Sequence, residues 1–340
     1  MHTHRSGTRS TVAIVGGESL LGKEVRELLE ADDLGATVKL IAADEGDDTA
    51  IISRGRDEPV LINSLQMADL GSARIVLLAG SKAASRKAYE QIQNSASAPA
   101  VIDLNGGLED HPATRLRAPI VEPPGYDAGG TIQAIAHPAA IAIALFLTHL
   151  RKAGPLRRSV VQIFEPASER GRAGIDELQR QMVALLSFKP LPKDVFDAQA
   201  AFNMLTRYGE DSPHSLAEIE LKIDRHLASL LASAGDLGMP SLRLVQAPVF
   251  HGYSISVWAE FENNPGMDAI AKALASDKID LRVKDEEPPA NVGVAGQGGI
   301  TVGAIAADRN DPRACWFWVV ADNLRIAAEN AVEVAREILK

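Results

Sequence analysis

Three stretches of this chain put residue types where chemistry is often done. The first is AIAHPAAIAIALFL, residues 134–147. It begins as a short strand, breaks at His137-Pro138 and turns into a helix entered through small residues. Proline is tolerated in a first helical turn because the amide it lacks would be unpaired there. A strand running into a buried helix N-terminus suits an activated nucleophile, since the free amides and the helix dipole stabilise a thiolate or an oxyanion. At that place this chain offers Ala139, Ala140 and Ile141, none with a functional group.

The second stretch is VQAPVFHGYSISV, residues 245–257. Gln246 cannot offer the charged fork that grips a carboxylate at two points. Tyr253, with an ordinary pKa of about 10, is a poor proton shuttle near neutral pH unless a neighbouring group such as lysine lowers it. Read as one strand, the stretch puts His251 on the same face as Tyr253. His251 is then either a substitute base, displaced by roughly 6–7 Å, or a surface or interface histidine.

The third is GGESLLG, residues 16–22, between an apolar run at 11–15 and the helical pattern GKEVRELLEA. Strand, glycine-rich turn and helix form the dinucleotide-binding arrangement, with phosphate on the helix N-terminus. Gly16, Gly17, Ser19 and Gly22 are its candidate residues. Ser19 carries a Cβ where the backbone would approach a pyrophosphate, and Glu18 adds a negative charge beside it. Glycines also serve plain tight turns, so both readings stay open.

These stretches need elements to hold them. At 340 residues the chain is long for one core, which makes two domains the default. Apolar runs at 11–15, 38–43, 74–79 and 100–104 alternate with helical patterns up to residue 138. That alternation predicts a doubly wound parallel sheet. Beyond it come a buried helix apolar nearly all round, a strand at 159–164, and a helix placing Ile175, Leu178, Met182 and Leu185 in the core. Ser215 with Glu218 is a capping box opening a further helix. A short helix at 267–274, a strand at 279–283, a hairpin of 300–307 with 315–320, and a closing helix complete the expected α+β part.

Composition narrows the function. A net charge of -10 argues against nucleic acid or an anionic membrane as main partner. No apolar run is long enough to span a bilayer, and the start lacks a signal-peptide core, so the expected location is the cytoplasm. The single Cys315 excludes an internal disulfide and lies in an apolar run, where a thiol is usually inert packing. No metal-ligand spacing is present; His2 and His4 fall in an expected disordered tail at 1–10.

Taken together, HPAA at 137–140, the Gly171-Arg172-Ala173-Gly174 helix start, APVFHGYS at 247–254 and ADNLR at 321–325 resemble the aspartate-semialdehyde dehydrogenases. The resemblance runs over nearly the whole chain. It is closer to the cysteine-less Usg-type homologues, which share QxAFNML, VQAPVFxG and FWxVADNxR as they stand here. It implies an NAD(P)-binding Rossmann-like domain at 11–138, a dimerisation and substrate-type domain at 139–320, and a C-terminal helix at 321–340 returning to the first domain. It also implies a homodimer and an amino-acid biosynthesis context.

By that resemblance Ala140 stands in the place of the nucleophilic cysteine and Glu165 in that of a substrate-orienting glutamine. Gln246 stands in the place of the carboxylate-gripping arginine, and Tyr253 in that of the acid/base histidine. Glu109 inverts the charge of an anion-binding arginine, and Lys222 matches a lysine that helps hold the anion, though alone it reads as a solvated helix charge. On the cofactor side the resemblance marks Ala79, Gly80 and Asn323. The acidic run Asp44-Glu45-Gly46-Asp47-Asp48 replaces a basic residue that holds the 2′-phosphate of NADP, so Asp44 favours NAD; an exposed acidic loop is the other reading. The expected protein is catalytically degenerate: a dimeric, dinucleotide- or metabolite-binding module that works by association, including with an active paralogue. The alternatives are an NAD(P)-dependent oxidoreductase acting without a covalent intermediate, and a purely structural protein.

Overall fold

The computed structural model describes residues 10–32, 34–43, 51–54, 59–126, 129–235, 238–283 and 286–340. They form two compact units: residues 1–119, 127–135 and 327–340 in the first, 120–126 and 136–326 in the second.

In the first unit, β1 (Ser10–Val15) is buried from Val12 to Val15 because it is paired on both sides. The chain continues through α1 (Leu20–Ala31), β2 (Ala36–Ala42), β3 (Ile51–Arg54), β4 (Pro59–Ser64), β5 (Ile75–Leu78), α2 (Lys82–Gln93), β6 (Ala100–Asp103), β7 (Thr114–Arg117) and β8 (Ile132–Ile135). The eight strands run in the order β3-β4-β2-β1-β5-β6-β8-β7. Every described pairing is parallel except β3 with β4. Strand order reverses at β1, the topological switch point of a doubly wound sheet. The strand β7 had no sequence signal: TRLR alternates without a hydrophobic run.

In the second unit come α3 (Pro138–Leu150), β9 (Leu156–Glu165), α4 (Gly171–Leu186), α5 (Leu216–Ser233), β10 (Ser241–Gln246), β11 (Tyr253–Phe261), α6 (Met267–Leu274), β12 (Ile279–Leu281), β13 (Ile300–Ala307) and β14 (Ala314–Ala321). Their mixed sheet has the order β10-β9-β11-β14-β13-β12, with β9–β10 and β12–β13 parallel and the rest antiparallel. Helix α3 is buried from Ala139 to Leu147, and Phe146 meets Phe317 of β14 edge-on at 5.1 Å. A last helix, α7 (Asn323–Leu339), begins in this unit, and from Ala327 onward it belongs to the first. There Arg336 pairs with Asp32, and Glu337 with Arg117 at 2.7 Å. Among the described residues no helix is long and apolar enough to cross a membrane.

Two expectations need correction. The stretch 245–257 is not one strand: β10 ends at Gln246, and β11 starts at Tyr253 after a loop closed by Gly252 at φ +80°. A backbone turned into the left-handed region is open to glycine at little cost. His251 therefore lies in a loop, and the face-sharing argument with Tyr253 fails. On α4, only Leu178 of the four expected core residues is fully buried. Its buried face runs through Gly174, Glu177, Leu178, Gln181 and Ala184. The reason is the segment that follows. Glu177 accepts from the amides of Val195 (2.6 Å) and Phe196 (3.1 Å). Gln181 accepts from Ala200 and Ala201 and donates to the carbonyls of Pro192 and Ala198. Two buried polar side chains thus supply the hydrogen bonds that this segment, without helix or strand of its own, cannot make internally.

Glu177→Ala should therefore lower stability by about 3 kcal/mol, the scale of charged hydrogen bonds lost with buried amides left unpaired. A urea midpoint within error of the parent would count against that role.

Candidate functional site

The register of the second sheet assembles the candidate centre. Gln246, the last residue of β10, is the partner of Glu165, the last residue of β9. Ser254 of β11 pairs with Phe164, which puts Tyr253 beside the same strand end. After Glu165 the chain makes a short 3-10 turn, Ala167–Arg170, and enters α4. Arg170 reaches back to Glu165 at 2.5 Å, with the carboxylate fully buried and the guanidinium nearly so. Glu169 accepts from Asn323 Nδ2 at 2.9 Å and lies 3.8 Å from His137 Nε2.

His137 closes the other side. It is the N-cap of α3: its Nδ1 accepts from the Ala139 amide at 3.3 Å, and its own backbone amide donates to His226 Nδ1 at 2.9 Å. With Nδ1 accepting, the ring proton sits on Nε2, the nitrogen facing Glu169. Asn323 ties the groups together, its Oδ1 accepting from Ser168 Oγ and from the Gly252 amide, both at 3.1 Å.

Burial dominates the electrostatics. It pushes the Glu165 carboxyl up to about 7, the nearby Arg170 charge offsetting only part of the effect. Burial also raises Glu169, against Arg170, the Asn323 amide and, more distantly, the Lys222 charge. Tyr253, fully buried, is raised well above 10 by burial and then by Glu169 and Glu165. Its hydroxyl has no partner at hydrogen-bond geometry among the described residues, and neither have Glu165 Oε2 and Arg170 Nε.

Several candidate residues are buried and held by the fold. Ala140 is 0% exposed and presents only a methyl group at the head of α3. Gln246 is 0% exposed and wholly engaged by the chain. Its Nε2 donates to the carbonyls of Glu165 (2.9 Å) and Ala247 (2.8 Å), and its Oε1 accepts from Tyr208 at 2.8 Å. Tyr253, raised above its ordinary value, holds its proton more tightly at neutral pH than a free tyrosine does. Cys315 is buried on β14, its thiol raised by burial and then by Asp308. Sequence reasoning missed His137, Glu169, Arg170, His226 and Tyr208. The one local signal was EPASER, three charges immediately after a buried strand.

In the first unit, Ser19 is the N-cap of α1. Its Oγ accepts from Gly22 N at 2.8 Å and donates to Ala79 O at 2.9 Å, so it is committed to the fold. A Cβ at Gly16 would overlap the Gly80 backbone, one at Gly22 would overlap Gly16 O, and one at Gly17 would press on Leu40. Gly80 O accepts from Asn105 Nδ2. Close packing of the turn on the start of α2 therefore demands these glycines by itself. Asn323, the remaining cofactor candidate, has both ends of its amide bonded within the second unit. Glu109 follows β6 and is half-buried. Asp44 and the acidic run 44–48 lie outside the described residues, as do His2 and His4. Among the described residues no group of three or more His, Cys, Asp or Glu is placed to hold a metal.

The semialdehyde dehydrogenase dimerisation domain matches residues 147–326, more than half of the chain. This chain belongs to the semialdehyde dehydrogenase family. The USG-1 protein homolog of Pseudomonas aeruginosa is 30% identical over 336 residues, 97% of either chain. Among solved structures of the family, a probable aspartate-semialdehyde dehydrogenase from Pseudomonas aeruginosa superposes with a TM-score of 0.84 at 26% identity, covering 98% of this chain and 99% of that one. The aspartate semialdehyde dehydrogenase with NADP from Candida albicans shares the fold at a TM-score of 0.66 and 14% identity, over 98% of each chain.

The raised carboxyls set a pH dependence. Glu165 and Glu169 hold protons more tightly folded than unfolded. Their contribution to stability is fully present below the ordinary 4.5 and is lost as the pH rises through their raised values, about 7 for Glu165. Across that window the parent should lose stability faster than Glu165→Gln, by at most about 1.4 kcal/mol per pH unit for one proton. Urea midpoints measured against pH test this; parallel curves for the two proteins would refute it.

Proposed function

We propose that this chain is a non-catalytic member of the semialdehyde dehydrogenase family, a homodimeric module that acts by association rather than by oxidising a semialdehyde. The observation that carries the reading is the state of Gln246. The residue at the substrate-clamp position uses both of its N–H donors and its carbonyl on its own chain, leaving nothing to bind a carboxylate. Three further features support it. Ala140 has no group able to form the thiohemiacetal from which hydride would leave. Tyr253 is held protonated. The ion pair Glu165–Arg170 occupies the end of β9 where a substrate-orienting amide would stand.

The partner chemistry proposed is a second copy of this chain. The dimerisation-domain match covers most of the second unit, and the C-terminal end of α4 with the two residues after it carries an exposed apolar edge. Leu186 is 75% and Phe188 98% exposed. A hetero-association with an active paralogue would use the same second unit. Of the two dinucleotides, the acidic run at 44–48 sets any residual affinity toward NAD, since it repels a 2′-phosphate.

Ala140→Cys should give no measurable NAD- or NADP-dependent oxidation of aspartate semialdehyde, because the base and the clamp are still missing. Turnover by the parent or by that single variant would end the non-catalytic reading. For the association, light scattering after gel filtration should give a dimer mass for the parent and a monomer mass for Leu186→Glu/Phe188→Glu. A monomeric parent would refute the dimer, and a double variant that stays dimeric would move the interface elsewhere.

A further inference from the structure

The glycine-rich turn of the first unit carries a carboxylate that the fold does not need for packing. Glu18 sits between the glycines and the N-cap of α1, and its Oε1 accepts from the Ala43 amide at 2.8 Å. Ala43 is the first residue beyond β2, and β2 is the parallel neighbour of β1. The Glu18 side chain therefore spans from the β1–α1 turn to the C-terminal end of the adjacent strand. In a doubly wound sheet that is the route of the adenosine half of a dinucleotide, with pyrophosphate at the helix head and ribose at the end of the second strand.

The amides of the turn are largely committed as well. Gly16 N and Gly17 N both donate to Ile41 O, at 2.7 and 3.2 Å, and Ser19 N donates to Gly16 O at 3.0 Å. Gly22 N is taken by the Ser19 hydroxyl. The second oxygen of Glu18 is buried without a partner among the described residues. A side chain with one oxygen bonded to the chain and the other buried in the turn lies where an incoming phosphate would need room and positive potential. The residues present do not fit the pyrophosphate that the family fold implies.

We infer that Glu18 is an internal anion that takes the place of a cofactor phosphate and holds the nucleotide turn closed. Its Oε1 ties the turn to the end of β2 through the Ala43 amide. The domain thus keeps its shape without a dinucleotide and rejects one by like charge and occupied space. This inference stands on the first unit alone and is independent of the reading of Gln246 and Ala140.

The test is titration calorimetry of the full chain with NAD and NADP, for the parent, Glu18→Ala and Glu18→Gln, with folding of each checked by circular dichroism. The parent should show no saturable binding in the millimolar range. Glu18→Ala should bind NAD at least about a hundredfold more tightly than the parent, the scale of removing one like-charge contact inside a protein. Glu18→Gln keeps an oxygen for the Ala43 amide, removes the charge and should gain a smaller factor. Unliganded Glu18→Ala should also melt below the parent, and NAD should restore part of the loss. Micromolar binding by the parent would overturn the inference. So would the absence of any gain in whichever of the two variants folds. Neither result would bear on catalysis, which turns on Ala140 and Gln246.

Discussion

A carboxylate removed from water must be neutralised, paired or protonated, and the second unit is built around two of them. Glu165 ends a central strand of the mixed sheet with no exposure, so Arg170 must fold back over it through a one-turn 3-10 segment. That reversal places Glu169 against Asn323 and His137. Asn323 in turn anchors Ser168 and the Gly252 amide, which fixes where β11 begins and hence where Tyr253 lies. Unpaired buried ions cost several kcal/mol each, and truncating one partner leaves the other uncompensated. The polar centre is therefore a mutually dependent set, in which changing one member disturbs the rest.

The strand-to-helix junction at the head of α3 is closed by its own chain: His137 caps the Ala139 amide, Pro138 has none, and the Ile141 amide donates to the His137 carbonyl. The side chains behind Pro138 are methyl groups packed in the core. In the first unit the same logic applies at the glycine turn. Gly16 and Gly22 are required by contact with Gly80 and with one another, so their presence does not by itself require a dinucleotide.

Buried polar side chains also do structural work away from that centre. Glu177 and Gln181 hold backbone groups of residues 192–201, a segment that has no ladder of its own. The opposite face of α4 is left with exposed Val183 and Leu186. That face also carries the exposed Arg172, Asp176 and Gln179, so α4 joins a polar anchor on its inner side to a mixed outer face.

The sequence by itself determined the features that depend on local order. The run of small and apolar residues gave α3, alternation of strand and helix gave the parallel sheet, and the capping pair Ser215–Glu218 marked the start of α5. It also placed Ala140, Gln246 and Tyr253 at the positions that the family resemblance marks, and residue type alone limits what each side chain can do. Tertiary structure decided everything that depends on partners far along the chain. Ser168 and Asn323 are 155 residues apart, and His137 and His226 are 89 apart. The periodicity of one segment carries no information about which distant carboxylate or amide will meet it. Nothing in the local pattern marks Glu177 or Gln181 as buried, and Glu18 reads there only as a negative charge beside the turn, because burial is set by what packs on a residue rather than by its neighbours in sequence. The division follows from range: propensity and pattern act over a turn or two, whereas the satisfaction of buried charge is settled only when the strands have taken their register.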